Sequence, residues 1–249
     1  MDRTAVILIH GATLNRASWN PLRRHLDPRL HVIAVDLPGH GSRSSERYTL
    51  EGAVRVVADT AKEVAPAKVV LMGDSLGGYT SMAAASSIPR ERLAGLVIGG
   101  CTENFEGAPL RALRWRWFLF GSIVIPVFGE QRLVRRSIPK VMRKMGHSEA
   151  DTQALLDAHV RVSAFGEAVA ALAHLDFLPK VAAIDAPILF LNGVKDKYPM
   201  MGEAKFLKAA KRGETQHFDC EHGVTLLKSR EVAEAANRFI ERVVSADPR

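Results

Sequence analysis

Length, composition and charge limit what this chain of 249 residues is able to form. The length suits one large α/β domain or two small ones, and 47% hydrophobic with 24% charged residues is ordinary for a globular protein in water. The net charge of +7 comes from one stretch, since residues 111–144 hold nine basic residues and one acidic residue, and the rest of the chain is close to neutral. With no recognised nucleic-acid motif beside it, this distribution argues against a DNA- or RNA-binding domain.

Short apolar runs alternate with helical patterns along the chain. The runs predict strands at Ala5–Ile9, His31–Asp36, Lys68–Met72, Leu93–Gly99, Pro187–Leu191 and Thr215–Cys220. The patterns between them predict helices at Ser18–Leu26, Leu50–Val64, Leu76–Ser87, Gly202–Ala210 and Ser229–Val244. Such alternation predicts βαβ units, and therefore an α/β protein with a mostly parallel twisted sheet and helices on both faces.

The alternation stops between Thr102 and Asp176, where helical patterns are frequent and we predict no strand. An insertion at this point of the chain lies above the carboxyl ends of the strands, where α/β sheets bind their ligands. We therefore predict a helical cap at 102–176 on a core domain made of 1–101 and 177–249. The aromatic residues of the cap either form its own core and seam or line a substrate pocket; they are Trp115, Trp117, Phe118, Phe120 and Phe128.

One motif lies between a predicted strand and a predicted helix. Residues 73–78, Gly-Asp-Ser-Leu-Gly-Gly, fit the pattern G-x-S-x-G directly after the strand Lys68–Met72. In this context the pattern predicts a sharp turn that lifts the hydroxyl of Ser75 above the edge of the sheet. The glycines allow the turn to close without a Cβ clash. Ser75 is therefore the candidate nucleophile.

A serine nucleophile needs a base that takes its proton and an acid that orients the base. In proteins with this turn, the chain order is serine, then aspartate or glutamate, then histidine. Asp196 follows the strand Pro187–Leu191, and His222 follows the strand Thr215–Cys220. Because parallel strands present the loops that follow them at one edge of the sheet, we expect Ser75, Asp196 and His222 to converge.

Four features together resemble the α/β-hydrolase superfamily over nearly the full length of the chain. They are the turn around Ser75, the order of the three candidate residues, the segment His10-Gly11-Ala12, and residues 36–42, Asp-Leu-Pro-Gly-His-Gly-Ser, which are similar to the D-x-P-G-x-G segment of the cap-bearing esterase and hydrolase branch. The resemblance implies an α/β-hydrolase fold with an inserted helical cap. It also implies Ser75 as nucleophile, His222 as general base, Asp196 as orienting acid, and an oxyanion hole made by the backbone N–H groups of Ala12 and Leu76.

Asp74 departs from the family pattern, which often has histidine or tryptophan directly before the nucleophile. One interpretation is a side chain that bonds backbone N–H groups of its own turn. The other is a catalytic role, which requires the carboxyl group to lie in the pocket. We favour the first and expect Asp74→Asn to affect stability more than chemistry.

Further residues are candidates for the site through their position alone. Candidates for the substrate pocket are His10, Gly11, Cys101, Trp115 and Phe118. His10 and His40 lie in predicted turns, which favours a structural role for both, and Cys101 is also explained as a small buried residue. We predict no metal, because the other histidines lack paired ligand spacing, and no cofactor. Cys101 follows one predicted strand and Cys220 ends another, and the usual superfamily order places these strands about 10 Å apart, too far for a disulfide.

The basic stretch of the predicted cap leaves two interpretations open. Its members are Arg111, Arg114, Arg116, Arg132, Arg135, Arg136, Lys140, Arg143 and Lys144. They form either a solvated outer face or a surface that attracts an anionic partner, such as a carboxylate- or phosphate-bearing substrate, an acyl carrier or an anionic membrane surface. We expect a small-molecule substrate and no nucleic-acid partner; the sequence does not predict an oligomeric state.

The hydropathy of the chain predicts no transmembrane segment. No apolar run reaches the roughly 18 residues that a span needs; the longest, Trp117–Phe128, is interrupted by Gly121, Ser122 and Pro126. The first residues lead into a strand without the organisation of a signal peptide. We therefore expect a cytoplasmic protein.

The motifs together predict a serine hydrolase that cleaves a carboxylic ester, thioester or lactone through an acyl-enzyme on Ser75. The same fold and residues also serve hydrolysis of C–C bonds, perhydrolysis and cyanohydrin cleavage, so the motifs do not separate these reactions. A receptor that binds a ligand without turnover is a further alternative. Labelling of Ser75 by a fluorophosphonate separates an enzyme from an inert receptor.

Overall fold

The computed structural model describes residues 4–105 and 129–245. Among the sequence candidates, Trp115 and Phe118 lie outside the described residues, as do the other cap aromatics and the first three arginines of the basic stretch.

A six-stranded sheet carries the fold. The strands are β1 (Ala5–Ile9), β2 (His31–Val35), β3 (Val69–Asp74), β4 (Leu93–Gly99), β5 (Ile188–Gly193) and β6 (Gly213–Phe218). Their order is β2-β1-β3-β4-β5-β6, and every neighbouring pair is parallel. The order reverses between β1 and β3, and at such a point the loops after the strands leave a crevice for a ligand. The predicted α/β fold class with a parallel sheet is confirmed.

Helices cover both faces of the sheet, because successive strand residues point to opposite sides. The described helices are α1 (Asn20–Arg23), α2 (Leu50–Glu63), α3 (Leu76–Ala84), α4 (Glu130–Lys144), α5 (Glu149–Asp157), α6 (Ala164–Leu172), α7 (Leu178–Ala182), α8 (Lys197–Ala209), α9 (Val224–Leu227) and α10 (Ser229–Ser245). Val6 and Leu8 of β1 pack with Phe239 of α10 in one core cluster. Ile7 and Ile9 pack on the opposite face with residues of α2 and α3.

Most predicted elements are found within one to three residues of their predicted bounds, and three differences bear on the loops near the site. The first predicted helix is a 3₁₀ turn, Arg16–Trp19, followed by the short α1. The helix predicted from Gly202 begins at Lys197, since Pro199 falls in its first turn, where the missing N–H of proline costs nothing. The last strand ends at Phe218, so Cys220 lies in the loop that leads to His222.

Helices α4, α5 and α6 occupy the long insertion between β4 and β5. Val134 and Met142 of α4 form a small core cluster with Leu155 of α5, and this cluster also contacts Leu14 and Leu226. Leu14 follows β1, and Leu226 lies on α9 after β6. The insertion therefore packs on loops at the carboxyl ends of the strands, as expected of a cap.

Candidate active site

Ser75 lies in the turn between β3 and α3 with a strained backbone. Its φ is 50° and its ψ is −113°, a conformation that a residue with a side chain adopts only where the surroundings enforce it. The Ser75 N–H donates to the carbonyl of Gly99 at 2.7 Å. A Cβ on Gly77 would collide with the carbonyl oxygen of Ile9, and one on Gly73 with the backbone of Gly77. The glycines thus let α3 approach β1 and β3 closely enough to force this turn.

The loops that carry Asp196 and His222 are bonded to each other. The N–H of Lys195 donates to the carbonyl of Cys220 at 3.1 Å, and that of Val194 donates to Phe218 at 2.9 Å. Gly223, directly after His222, has a φ of 91°, which glycine adopts without strain. These contacts hold the two loops at the same edge of the sheet.

Ser75, Asp196 and His222 form one chain of hydrogen bonds. His222 Nδ1 lies 2.6 Å from Asp196 Oδ2, and His222 Nε2 lies 3.0 Å from Ser75 Oγ. These distances fit a neutral imidazole that donates to the carboxylate of Asp196 and accepts from the hydroxyl of Ser75. The hydrogen bond to Asp196 is the main cause that raises the pKa of His222 above 6.5, and burial acts against it.

A cavity of about 310 Å³ opens beside these three residues. Apart from them, its described lining consists of backbone and mostly apolar side chains: Ala12, Leu76, Tyr79, Gly100, Glu103, Phe105, Phe165, Ala168, Val169, Leu172, Tyr198 and Pro199. This volume accommodates a small acyl group.

Ala12 and Leu76 both line this cavity, as an oxyanion hole requires. Leu76 is the first residue of α3, so its N–H has no partner within the helix. The loop that carries Ala12 is fixed on its far side, where the Thr13 N–H donates to His40 Nε2 at 3.2 Å and the Thr13 carbonyl accepts from Arg161.

His10, Gly11 and Cys101 are buried and do not line the described cavity. His10 Nδ1 donates to the carbonyl of Gly11 at 2.8 Å, and its Nε2 accepts from the N–H of Leu37 at 3.1 Å. Burial and the neighbouring His40 lower the pKa of His10 to about 3. Cys101 packs against Gly78, where a Cβ would collide with its sulfur. These three residues therefore lie outside the described lining of the cavity, and Cys101 is packed against α3.

The two other carboxyl groups at the strand ends have different surroundings. Asp36 accepts from the N–H groups of Arg16 and Ser42 at 2.8 and 3.0 Å, so it holds the turn after β2. Asp74 is buried, its Oδ1 has no hydrogen-bond partner among the described residues, and the side chain is hydrogen-bonded to Thr225 on α9. Burial raises the pKa of Asp74, while nearby His222 acts to lower it. Its bonds thus go to α9, which differs from the bonding to its own turn that we expected.

Several residues of the cavity wall are not among the candidates predicted from the sequence. Four of them, on α6, follow a helical spacing: Phe165, Ala168, Val169 and Leu172. This spacing predicts that the four residues share one face of a helix. It does not predict what that face packs against. Glu103 follows β4 at the sheet edge where ligands bind, so the same rule that selected Asp196 applies to it. Tyr79 lies one turn after Leu76 on α3.

No group of three or more histidine, cysteine, aspartate or glutamate side chains in the described residues has the geometry of a metal site. Cys101 and Cys220 are both free thiols. None of the described helices has the length and apolar character needed to cross a membrane.

Comparison with known proteins decides the family. A family model described as the alpha/beta hydrolase family matches residues 6–235. The chain belongs to the alpha/beta hydrolase family. This membership confirms the resemblance inferred from the motifs and identifies the chain as an enzyme, a hydrolase.

Relatives of this hydrolase include proteins of named activity. It is 27% identical over 218 residues to a pimeloyl-[acyl-carrier protein] methyl ester esterase from Aromatoleum aromaticum, covering 83% of this chain and 85% of the relative. It is 34% identical over 104 residues to an uncharacterized protein of Mycobacterium bovis, covering 40% of this chain but only 30% of that relative. Its structure is similar to that of a thermophilic esterase from Thermogutta terrifontis, with a TM-score of 0.74 and 22% identity over 96% of this chain and 90% of the other. At this identity the structural likeness shows the fold alone.

Proposed function

We propose that this hydrolase cleaves a carboxylic ester, thioester or lactone through an acyl-enzyme on Ser75. The observation that carries the proposal is the hydrogen-bonded series Asp196, His222 and Ser75 beside an apolar cavity. The similarity to a methyl ester esterase over 83% of this chain and 85% of the relative supports an ester as the bond that is cleaved.

The geometry supports a two-step reaction. Ser75 Oγ attacks the acyl carbon while His222 Nε2 takes its proton, and the N–H groups of Ala12 and Leu76 bind the oxyanion of the tetrahedral intermediate. The intermediate expels the alcohol, which receives the proton from His222, and leaves an ester on Ser75. His222 then takes a proton from water, the resulting hydroxide attacks the acyl-enzyme, and the acid leaves as the proton returns to Ser75.

Asp196 acts through His222 in this proposal. Its carboxylate accepts from Nδ1, which keeps the proton on that nitrogen and leaves Nε2 free to accept from Ser75. The same carboxylate stabilises the imidazolium that forms when Ser75 is deprotonated. The raised pKa of His222 is consistent with that stabilisation.

We also propose that residues 102–176 form the cap that closes the site over the core of 1–101 and 177–249. The support is that four residues of α6 supply one side of the cavity, whereas Ser75, Asp196 and His222 follow core strands. In that arrangement the core performs the chemistry and the cap selects the substrate.

Labelling and turnover test the proposal. We expect a fluorophosphonate to label Ser75 stoichiometrically and esters of p-nitrophenol with graded acyl lengths to be hydrolysed, with a release of p-nitrophenol that precedes the steady state if deacylation is slower. Ser75→Ala should abolish labelling and reduce activity at least about 10³-fold. Ser81→Ala is the matched control, because Ser81 is a buried serine on α3 whose hydroxyl donates to the carbonyl of Gly77. Labelling without hydrolysis of any ester would indicate a different reaction at the same serine, and absence of labelling would indicate a receptor.

A further inference from the structure

Glu103 places a second carboxyl group in the wall of the proposed ester site. It follows β4 and lines the same cavity as Ser75 and His222. The described lining contains two carboxylates, Glu103 and Asp196, and neither lysine nor arginine. Since Asp196 is engaged by His222, Glu103 is the one of these two described carboxylates that is left to accept from a molecule in the cavity.

Hydrogen bonds on both sides hold the backbone of Glu103 in place. The hydroxyl of Tyr79 donates to the Glu103 carbonyl at 2.8 Å and accepts from its N–H at 3.2 Å. Thr102 donates to the carbonyl of Pro199 at 2.7 Å, and Asn104 donates to Asp176 at 2.9 Å. Within the described residues the carboxyl group itself has no hydrogen bond or ion pair. Its position is thus built into the site, while its oxygens are left for a ligand.

The cavity is unfavourable for negative charge. Burial is the main cause that raises the pKa of Glu103, and the carboxylate of Asp196 adds to it. Asp74 is buried, and it acts electrostatically on His222, which lines the cavity. An anionic group on a bound substrate would be desolvated in the same way and repelled by the carboxylate of Asp196. It would also be repelled by the carboxylate of Glu103.

The exposed face of helix α4, in the insertion, has the opposite charge. Arg132, Arg135, Arg136, Lys140, Arg143 and Lys144 on α4 are all exposed. Helix α4 thus presents a cationic face outside the cavity, whereas the described cavity lining carries two carboxylates. A substrate with one charged end is expected to leave that end outside and to place an uncharged acyl group next to Ser75.

We propose that Glu103 determines specificity by rejecting acyl groups that bear a negative charge, so that the substrates are esters of uncharged acyl groups. Acyl groups with a hydroxyl or amide donor are favoured, because the Glu103 carboxylate accepts from them. This inference rests on the proposed ester hydrolysis at Ser75 and names the class of acyl group for that reaction.

Three p-nitrophenyl esters of equal chain length test the proposal, with an acyl chain that ends in a methyl group, a hydroxyl or a carboxylate. At about pH 8, where an ordinary carboxyl group is ionised, the native enzyme should strongly prefer the first two. Glu103→Gln should raise kcat/KM for the carboxylate ester about tenfold and change that for the methyl ester less than about twofold. Glu221→Gln is the matched control, because Glu221 is exposed, adjoins His222 and does not line the cavity.

Binding provides a readout that does not depend on turnover. Calorimetry with Ser75→Ala and the same three esters should show weak binding of the carboxylate ester, relieved in Ser75→Ala combined with Glu103→Gln. Glu103→Ala gives the same comparison if Glu103→Gln does not fold. Equal effects on all three esters, or an effect of Glu221→Gln as large as that of Glu103→Gln, would overturn the proposal. Selective binding without hydrolysis would leave the role of Glu103 standing and reject the proposed reaction.

Discussion

Two buried carboxyl groups act on the pKa of His222 by different routes. Asp196 accepts the hydrogen bond from Nδ1 and is the largest cause of the raised pKa. Asp74 raises it through space, from behind Ser75. Replacing each carboxyl group by an amide of the same shape separates the two effects.

Asp196→Asn should reduce kcat/KM by about 10²-fold or more, because an amide does not hold the required tautomer or stabilise the imidazolium. The base must be neutral to act, so a raised pKa of His222 places the acid limb of the pH profile above 6.5 in the native enzyme. Loss of the carboxylate should move that limb to lower pH. The measurement is kcat/KM against pH, which reports the free enzyme. Near-full activity of Asp196→Asn would show that the acid has been misassigned.

Asp74→Asn should raise the thermal midpoint by a few degrees at neutral pH, contrary to the loss of stability expected from sequence. A buried carboxyl group with a raised pKa costs stability as the pH rises above its unfolded value of 3.8, and an amide does not. The gain over the native chain should therefore shrink as the pH falls and Asp74 takes up a proton. Thermal melts between about pH 4 and pH 8, with Asp59→Asn on the exposed face of α2 as control, test this. A midpoint lowered at every pH would show that the carboxylate is stabilising.

At the scale of elements, the unit β3, turn and α3 shows why one short motif predicted so much. The glycines at 73, 77 and 78 are each pressed against backbone or a neighbouring side chain, so the motif requires both elements to be in place. The insertion is different, because an apolar stripe predicts that its helices form but not which apolar surface they pack against.

The charge of helix α4 leads to a prediction about how fast anionic substrates associate with the enzyme. Its six exposed cations are not paired with any carboxylate of residues 4–105 or 129–245. An ester with an anionic leaving group, which stays outside the cavity, should therefore show kcat/KM that falls as ionic strength rises, since a Debye length of about 10 Å at 0.1 M screens the attraction. A neutral ester of the same acyl chain should barely respond.

Charge reversal tests that role of α4. Arg135→Glu with Arg136→Glu should remove the salt dependence and leave kcat nearly unchanged. Reversal of Lys205 and Lys208 on α8, which are also exposed, is the control for total charge. Equal salt sensitivity of the anionic and neutral esters would show that the basic residues of α4 form only a solvated surface and do not attract the substrate.

At the scale of the whole molecule, the buried pair His10 and His40 links stability to pH. Burial lowers the pKa of both, that of His10 to about 3. The unfolded chain therefore binds protons below pH 6.5 that the folded chain does not, and stability falls as the pH drops from about 6.5 toward 3, by at most about 1.4 kcal/mol per pH unit for each histidine. His10→Asn should be less stable at pH 8, roughly the plateau of this effect, and should lose less on acidification. Urea midpoints of both chains against pH measure the difference, and parallel curves would contradict it.

The sheet and the reacting residues were predictable because their signals are local. Apolar runs marked β1 to β6 within a few residues, and the loops after parallel strands share one edge, so the convergence of Ser75, Asp196 and His222 followed from chain order. The start of α8 and the end of β6 were misplaced by a few residues, because helix and strand ends depend on packing and hydrogen bonds that the pattern does not contain.

The cavity wall was decided by tertiary structure alone. The sequence indicated that Asp36 and Asp74 follow strands, but only packing showed that Ser42 and Arg16 bind the first and that the second is buried against Thr225. Packing likewise brought Glu103, from the loop after β4, and the apolar face of α6 together in the wall of one cavity. His10 and Cys101 remain buried outside the described lining of that cavity. The physical reason is that the periodicity of helices and strands and the chemistry of turns depend on residues that are neighbours in sequence. Exposure of a side chain to a cavity depends instead on how different elements pack together.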